Sequence, residues 1–123
     1  MILGVGNDII EISRIKRSAE RTESFLAGVF TEEELKGARG AGRYESLAGY
    51  FAAKEAFSKA LGTGVRGFSL KELEIFKDEL GKPYIRVLGR AEAICCERGV
   101  KAIHLSIAHS KENATAFVVL EGE

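Results

Sequence analysis

Two carboxylates and one lysine are the strongest candidates for a catalytic or metal-binding role in this sequence. Asp8 ends a glycine-containing opening segment, and Glu55 and Lys59 stand four residues apart in an alanine-rich segment. Oxygen ligands in small number suit Mg²⁺, which commonly takes one or two protein carboxylates and completes its shell with water and phosphate oxygens. Such a metal, beside a lysine that faces an anion, supports phosphoryl-type chemistry by neutralising charge and positioning the attacking oxygen.

A simpler interpretation of Glu55 and Lys59 stays open at this point. Residues four apart on a helix are neighbours, and glutamate before lysine is the favourable order for an ion pair. A pair of this kind on a helix face contributes only about 0.2–0.5 kcal/mol. Spacing alone does not choose between this ion pair and a site for a metal and an anion.

Other common catalytic patterns are not supported by the sequence. The glycines at 62–67 follow a helical pattern and no Gly-Lys-Ser/Thr opens a next helix, so they do not form a P-loop. No HExxH or cysteine/histidine spacing offers a zinc site. His104 and His109 fall on opposite faces of a predicted strand, and either one alone is typical of a structural histidine. Cys95 and Cys96 are adjacent in a helical pattern that directs their side chains apart, so we expect reduced thiols.

Glu55 and Lys59 must be positioned by the segment from Leu47 to Leu61. This segment is rich in alanine, lacks proline, and is followed by glycines that can cap a helix. Apolar side chains surround nearly its whole circumference, which is typical of a buried helix. We therefore expect a long buried helix that nevertheless has three charged residues, Lys54, Glu55 and Lys59.

Asp8 must be positioned by the isoleucine-rich segment 2–12, which predicts a strand. Side chains alternate along a strand, so Gly4, Gly6 and Asp8 share one face. Interior glycines weaken a strand and often mark the close approach of another group. The sequence predicts a shallow floor from which one acid projects. The alternative is that the glycines mark a bulge or bend and that Asp8 merely ends the strand.

The remaining pattern predicts an α+β protein. Ser13 can cap a short helix through about Arg21, and Thr31 with Glu34 fits a capping box opening a helix through about Ala38. The further elements expected are strands at Glu72–Lys77 and Pro83–Leu88, a helix at Arg90–Glu97, and strands at Ala102–Ala108 and Ala114–Leu120. This order favours a largely antiparallel sheet packed with one long helix and shorter helices, in a single domain over residues 1–123.

Arg14, Arg17 and Arg21 fall at i, i+3 and i+7 of the predicted first helix and form a basic stripe. Such a stripe is often only a solvated face, and otherwise it docks an acidic partner. The net charge is zero, with 18 basic and 18 acidic residues, which does not support general attraction to nucleic acid or membrane. No apolar run approaches the roughly 20 residues that span a bilayer. The first residues lack the features of a signal peptide, so we expect a cytoplasmic protein.

Several motifs of this sequence resemble those of the holo-acyl-carrier-protein synthases, the short bacterial 4′-phosphopantetheinyl transferases. The motifs are Val5-Gly6-Asn7-Asp8-Ile9, Phe51-Ala52-Ala53-Lys54-Glu55-Ala56-Phe57-Ser58-Lys59-Ala60, Gly62-Thr63-Gly64, Gly81-Lys82-Pro83-Tyr84 and Ser106-Ile107-Ala108-His109-Ser110. The resemblance spans essentially the whole chain in the family's order. Its most specific block is residues 51–59, whereas Gly-x-Asp alone would be weak.

The resemblance implies a 4′-phosphopantetheinyl transferase fold and the family's reaction. That reaction moves the 4′-phosphopantetheine arm of coenzyme A onto a serine of apo-acyl carrier protein, releases adenosine 3′,5′-bisphosphate, and supports fatty acid biosynthesis. By resemblance, Asp8 and Glu55 would be Mg²⁺ ligands and Lys59 would face the pyrophosphate. Glu55, or a water that it orients, would help to deprotonate the attacking serine.

The resemblance also implies where the larger ligands bind. Gly62, Pro83 and His109 would line the coenzyme A pocket with Lys59, with His109 near the 3′-phosphate, and we assign Arg43 and Ser106 to the same pocket. The basic stripe of Arg14, Arg17 and Arg21 would dock the acidic carrier protein. The family is trimeric with active sites between neighbouring subunits, so we expect a homotrimer.

Two other functions remain compatible with the residues alone. A non-enzymatic α+β module could bind a nucleotide or an acidic protein through the basic stripe, but it leaves the charges on the buried helix unexplained. Another Mg²⁺-dependent enzyme acting on nucleotides would use the same residue types, and only the family resemblance disfavours it.

Overall fold

The computed structural model describes residues 1–123, which form five strands and five α-helices with two short 3₁₀ turns. The strands are β1 (Ile2–Glu11), β2 (Leu73–Lys77), β3 (Pro83–Val87), β4 (Ala102–His109) and β5 (Asn113–Glu121). The helices are α1 (Ile12–Arg21), α2 (Glu23–Val29), α3 (Glu32–Gly37), α4 (Arg43–Leu61) and α5 (Gly89–Glu97). The 3₁₀ turns are Gly40–Gly42 and Leu70–Glu72. The predicted α+β class is confirmed.

All strand pairs are antiparallel, as expected, but they form two sheets and not one. The larger sheet has the order β1-β5-β4, and β2 pairs only with β3 in a hairpin. In the larger sheet Asp8 lies opposite Ala116 of β5, and Ser106 of β4 lies opposite Phe117. The β3 strand lies near β4 without sharing a hydrogen-bonded ladder with it. The hairpin therefore forms a separate wall at one side of the larger sheet.

Helix α4 packs against the inner face of the larger sheet and forms the centre of the core. Twelve of its 19 residues are buried, on both the large apolar side and the alanine side, which confirms the expected helix that is apolar nearly all round. The helix begins at Arg43, four residues before the predicted start at Leu47, because the 3₁₀ turn at Gly40–Gly42 leads directly into it. None of the helices, α4 included, combines the length and hydropathy needed to cross a lipid bilayer.

Two glycines allow β1 to lie directly on α4. A Cβ atom on Gly4 would collide with the carbonyl oxygen of Ala60, and one on Gly6 would collide with that of Ala56. The two contacts are separated by two residues of strand, about 6.6 Å, and by four residues of helix, about 6 Å. The strand and the helix therefore run in opposite directions, with nearly equal spacing between their contacts. The predicted close approach is confirmed.

The start of α1 differs from the sequence prediction. The helix begins at Ile12 with Glu11 in the cap position, and no side chain caps it, so Ser13 is not the cap. The reason is that β1 runs into α1 without a loop, and the Ile12 N–H donates to the Glu112 carbonyl in the β4–β5 turn at 2.9 Å. A backbone contact between distant segments thus replaces the local side-chain cap.

Two other local predictions are confirmed. Thr31 and Glu34 form the capping box of α3, with the Thr31 N–H donating to Glu34 Oε1 at 2.8 Å and the Glu34 N–H donating to Thr31 Oγ1 at 3.2 Å. Pro83 is the first residue of β3, where its missing donor does least harm to the ladder.

Candidate active site

Asp8 of β1 and Glu55 of α4 line the same cleft, which has a volume of about 290 Å³. The Asp8 side chain is 17% exposed, and its Oδ1 atom accepts a 3.0 Å hydrogen bond from Lys59 Nζ. Glu55 makes no ion pair within 4 Å. The alternative of a helix-face ion pair between Glu55 and Lys59 is therefore not observed, because Lys59 turns toward the strand. The structure nevertheless brings all three residues to one place.

The two carboxylates are close enough to influence each other's ionisation. Burial is the larger cause that raises the pKa of Glu55, the negative charge of Asp8 adds to it, and the positive charge of Lys59 opposes it. A carboxylate that is destabilised by burial and by a like charge gains from a cation placed between the two acids. Since no third histidine, cysteine or acid joins them, the donor set fits a hard divalent cation with positions left for water and ligand oxygens.

An aromatic wall lines the same cleft as these acids. It is formed by Phe25 of α2 and Phe51 of α4, whose ring centroids are 6.5 Å apart and which are both half-buried. Sequence reasoning did not assign Phe25 to the site. Phe51 was not assigned to the site either, although it opens the most specific motif of the sequence and stands one helical turn before Glu55. An aromatic wall next to two acids suits a partner that brings both apolar and polar groups.

The basic stripe begins at this cleft. Arg14 lines the cleft, and Arg17 and Arg21 continue along α1 as exposed residues. None of the three has a carboxylate within 4 Å, whereas Ile12 and Ile15 on the other side of α1 are buried and anchor the helix. The stripe is therefore an uncompensated positive surface that ends at the acids.

The last turn of α4 positions Lys59, whose side chain reaches Asp8, and ends at Gly62. Gly62 adopts the left-handed conformation with φ of 82°, and its N–H donates to the Lys59 carbonyl at 2.9 Å, as the predicted glycine cap requires. Arg98 Nη1 donates to the Leu61 carbonyl at 2.6 Å, which satisfies a second free carbonyl of the helix end. The final turn of α4 is thus fixed from two sides.

Pro83 and His109 lie in a second cleft, which has a volume of about 170 Å³. Its walls include Gly49 and Tyr50 of α4 and Lys77 of β2, which lies opposite Pro83 in the hairpin register. The Lys77 ammonium is 5.8 Å from the Tyr50 ring centroid. Lys77 was not assigned from the sequence, because only the hairpin register places it beside Pro83.

Lys59 lies far from the second cleft within one subunit. Gly49 lines the second cleft and Lys59 lies ten residues further along α4, a rise of about 15 Å. Ser106 and His109 are three residues apart on β4 and so face opposite sides of the sheet. Arg43 lines neither cleft: its guanidinium lies 5.7 Å from the Tyr44 ring centroid, and its buried Nε has no hydrogen-bond partner. Within one subunit, the residues expected to line the coenzyme A pocket therefore do not all meet at one site.

Comparisons with known proteins show the family of this chain. The profile of the 4′-phosphopantetheinyl transferase superfamily matches residues 4–118. A holo-[acyl-carrier-protein] synthase of Clostridium tetani is 50% identical over 125 residues, covering 100% of this chain and 98% of that protein.

Solved structures show the same fold. The crystal structure of holo-[acyl-carrier-protein] synthase from Neisseria meningitidis has a TM-score of 0.90 and 37% identity, and the match covers 98% of this chain and 99% of that one. The structure of a holo-(acyl-carrier-protein) synthase from Bacillus anthracis in complex with CoA (3′,5′-ADP) has a TM-score of 0.82 and 41% identity, covering 100% of this chain and 99% of that one. The expected fold is confirmed, and the chain belongs to the 4′-phosphopantetheinyl transferase superfamily.

Proposed function

We propose that this protein transfers the 4′-phosphopantetheine group of coenzyme A to a serine of apo-acyl carrier protein and releases adenosine 3′,5′-bisphosphate. The reaction would take place in the cytoplasm and support fatty acid biosynthesis. Full-length similarity to holo-[acyl-carrier-protein] synthases supports this function. The observation that carries the proposal is that Asp8 and Glu55 line one cleft and that Lys59 donates a hydrogen bond to Asp8.

Asp8 and Glu55 are the residues that would hold Mg²⁺. Their two carboxylates face one cleft, and the raised pKa of Glu55 reflects a local excess of negative charge as well as burial. When bound, Mg²⁺ neutralises charge on the pyrophosphate of coenzyme A and so favours departure of the adenosine bisphosphate. Lys59 is 57% exposed and can turn its ammonium toward the same phosphate oxygens.

Proton transfer from the carrier serine is the task of Glu55. The serine oxygen forms a bond to the phosphorus of the phosphopantetheine phosphate, and the bond from that phosphorus to the bridging oxygen breaks. The serine proton passes to Glu55 or to a water that Glu55 orients. Glu55 lines the cleft with Asp8, where the carrier serine would approach, so it is placed to accept or relay this proton.

Coenzyme A would bind between subunits of a homotrimer. Gly62 and Lys59 lie at the end of α4, Pro83 and His109 lie in the second cleft, and Ser106 faces the side of the sheet opposite to His109, which supports a ligand shared by two copies of the chain. The outer face of the larger sheet is apolar and uncovered, with Val5 54% and Phe117 46% exposed. This face offers the surface through which the copies would associate.

The acidic carrier protein would dock on the basic stripe. Arg14, Arg17 and Arg21 lead to the cleft and have no carboxylate partners of their own. A positive surface of this kind steers an acidic partner and sets its orientation. The serine of the carrier would then approach the acids from the side of α1.

Incubation of the protein with coenzyme A, Mg²⁺ and apo-acyl carrier protein, followed by mass measurement of the carrier, tests the proposal. We expect one arm to be added, the addition to stop with a chelator, and Asp8→Asn to fold but lose turnover. A carrier that stays unmodified, while a known transferase modifies it in parallel, would refute the function. Calorimetry checks the binding-module alternative, in which coenzyme A would bind equally well without Mg²⁺.

A further inference from the structure

A buried ion pair beside the active site has no part in the chemistry described above. Lys54 is 0% exposed, and its Nζ atom donates to Glu34 Oε1 at 2.7 Å and to the carbonyl oxygen of Val29 at 2.7 Å. The ammonium also lies 5.2 Å from the ring centroid of Phe30. Because removing two charges from water is costly, such a pair is weak evidence of a purely stabilising role.

Glu34 holds Lys54 in place through a complete set of hydrogen bonds. Its Oε1 atom accepts from the Thr31 N–H at 2.8 Å as well as from Lys54, and its Oε2 atom accepts from the Ile75 N–H of β2 at 2.7 Å. Glu34 is 2% exposed. The carboxylate therefore has no freedom to follow a moving lysine, and the ammonium is a fixed point inside the protein.

The second bond of Lys54 leads to the aromatic wall of the cleft. Val29 is the last residue of α2, and α2 supplies Phe25 to the wall that lines the same cleft as Asp8 and Glu55. No residue of α2 is buried, and no side chain caps its start. The apolar residues of α2 pack against the core only as partly buried side chains, so the bond from Lys54 to the Val29 carbonyl adds a fixed polar contact at the end of this helix.

We propose that Lys54, held by Glu34, is a positioning residue for carrier recognition. Its bond to Val29 keeps α2 and Phe25 against the cleft that the serine-bearing segment of the carrier enters. The inference rests on the proposed function, because it assigns the cleft beside Arg14 to the carrier. It places the effect in binding of the carrier and not in binding of coenzyme A.

Kinetics of a paired substitution test the inference. Lys54→Met alone leaves the Glu34 carboxylate buried and unpaired, so the variant to measure is Lys54→Met with Glu34→Gln, which leaves no uncompensated charge. We expect KM for the carrier to rise about tenfold, the scale of one lost charge-assisted hydrogen bond. We expect kcat and KM for coenzyme A to stay unchanged. Val118→Ala, a cavity in buried β5 that touches nothing in α2, is the control for general loss of stability.

A fluorescence measurement reports the position of the wall without any substrate. The sequence contains no tryptophan, so Phe25→Trp places a single reporter on α2. Acrylamide quenching of this tryptophan should increase when Lys54→Met and Glu34→Gln are added, and should not increase with Val118→Ala. Unchanged quenching, or increased quenching with an unchanged carrier KM, overturns the inference. A wild-type chain without transferase activity would refute the proposed function instead, and the quenching result would still decide whether Lys54 holds α2.

Discussion

Asp8 and Lys59 are joined by a 3.0 Å ion pair between Oδ1 and Nζ, which links β1 to the last turn of α4. The pair contributes little to stability, about 0–1 kcal/mol, because the Lys59 side chain is 57% exposed. The ion pair matters for the candidate active site, because it keeps the Lys59 ammonium next to the two carboxylates. In the proposed reaction this ammonium would share the neutralisation of the pyrophosphate with the cation that the acids hold.

Substitution of Lys59 should therefore separate activity from stability. We expect Lys59→Met to lower kcat about a hundredfold, the scale seen when one donor to a developing negative charge is removed. Its Tm should stay close to that of the wild type, because the ion pair that is lost is partly exposed and contributes little to stability. Steady-state kinetics and calorimetric melting check this. Wild-type turnover in the variant would remove Lys59 from the reaction.

Glu55 should cost the protein stability at neutral pH. Burial and the charge of Asp8 raise its pKa above the ordinary value of 4.5, so folding favours the protonated form. That favourable contribution is complete below the ordinary pKa and is lost as the pH rises through the raised pKa. Glu55→Gln should therefore have a higher Tm than the wild type at pH 7, and the difference should vanish in acid.

The same Glu55→Gln variant should lose about a hundredfold or more in turnover, because a general base contributes on that scale. Thermal melting across pH in metal-free buffer, together with kinetics, measures both effects. A Tm at pH 7 below that of the wild type would contradict the electrostatic account, and undiminished turnover would contradict the catalytic one.

The close approach of β1 to α4 should tolerate no side chain at Gly6. Gly6→Ala places a methyl group against the Ala56 carbonyl, and overpacking of this kind typically costs about 1–3 kcal/mol. Turnover should fall as well, because Asp8 moves with the strand. Gly28→Ala is the matched control, since nothing lies within 4 Å of that position in α2. Equal urea midpoints for the two variants would show that the contact is unimportant.

Charge reversal on the basic stripe should affect the carrier and not coenzyme A. Arg14→Glu should raise KM for the carrier, and the rise should be larger at low salt because screening is weaker there. Lys36→Glu reverses an equally exposed charge on α3 and lines no cleft described here, so it should leave that KM unchanged. Matching KM values for the two variants at low salt would discard the docking role of α1.

A charge on the outer face of the larger sheet should prevent assembly. Val5→Glu places a carboxylate on the uncovered apolar surface and should give monomers with little turnover, because the ligand residues of two copies no longer meet. Leu80→Glu, at a position 95% exposed in the β2–β3 turn, should remain trimeric and active. Sedimentation measures the assembly, and a trimeric, active Val5→Glu protein would rule out this face as the interface.

Local pattern alone predicted much of this protein. The alanine-rich, proline-free segment indicated a buried α4, the alternation of Gly4, Gly6 and Asp8 indicated a strand that another element approaches closely, and Thr31 with Glu34 indicated a capping box. These features depend on neighbours within a few residues, where side-chain period and backbone preference determine the geometry.

Only the tertiary structure determined which distant groups meet. Lys59 could pair with Glu55 by spacing, and it pairs with Asp8 because β1 packs against α4. Lys54 had no partner predicted from the sequence, and it meets Glu34 because the contact of α3 with β2 brings that carboxylate within reach of α4. Contacts between elements depend on how whole faces fit together, and that fit is not encoded in the period of any single segment.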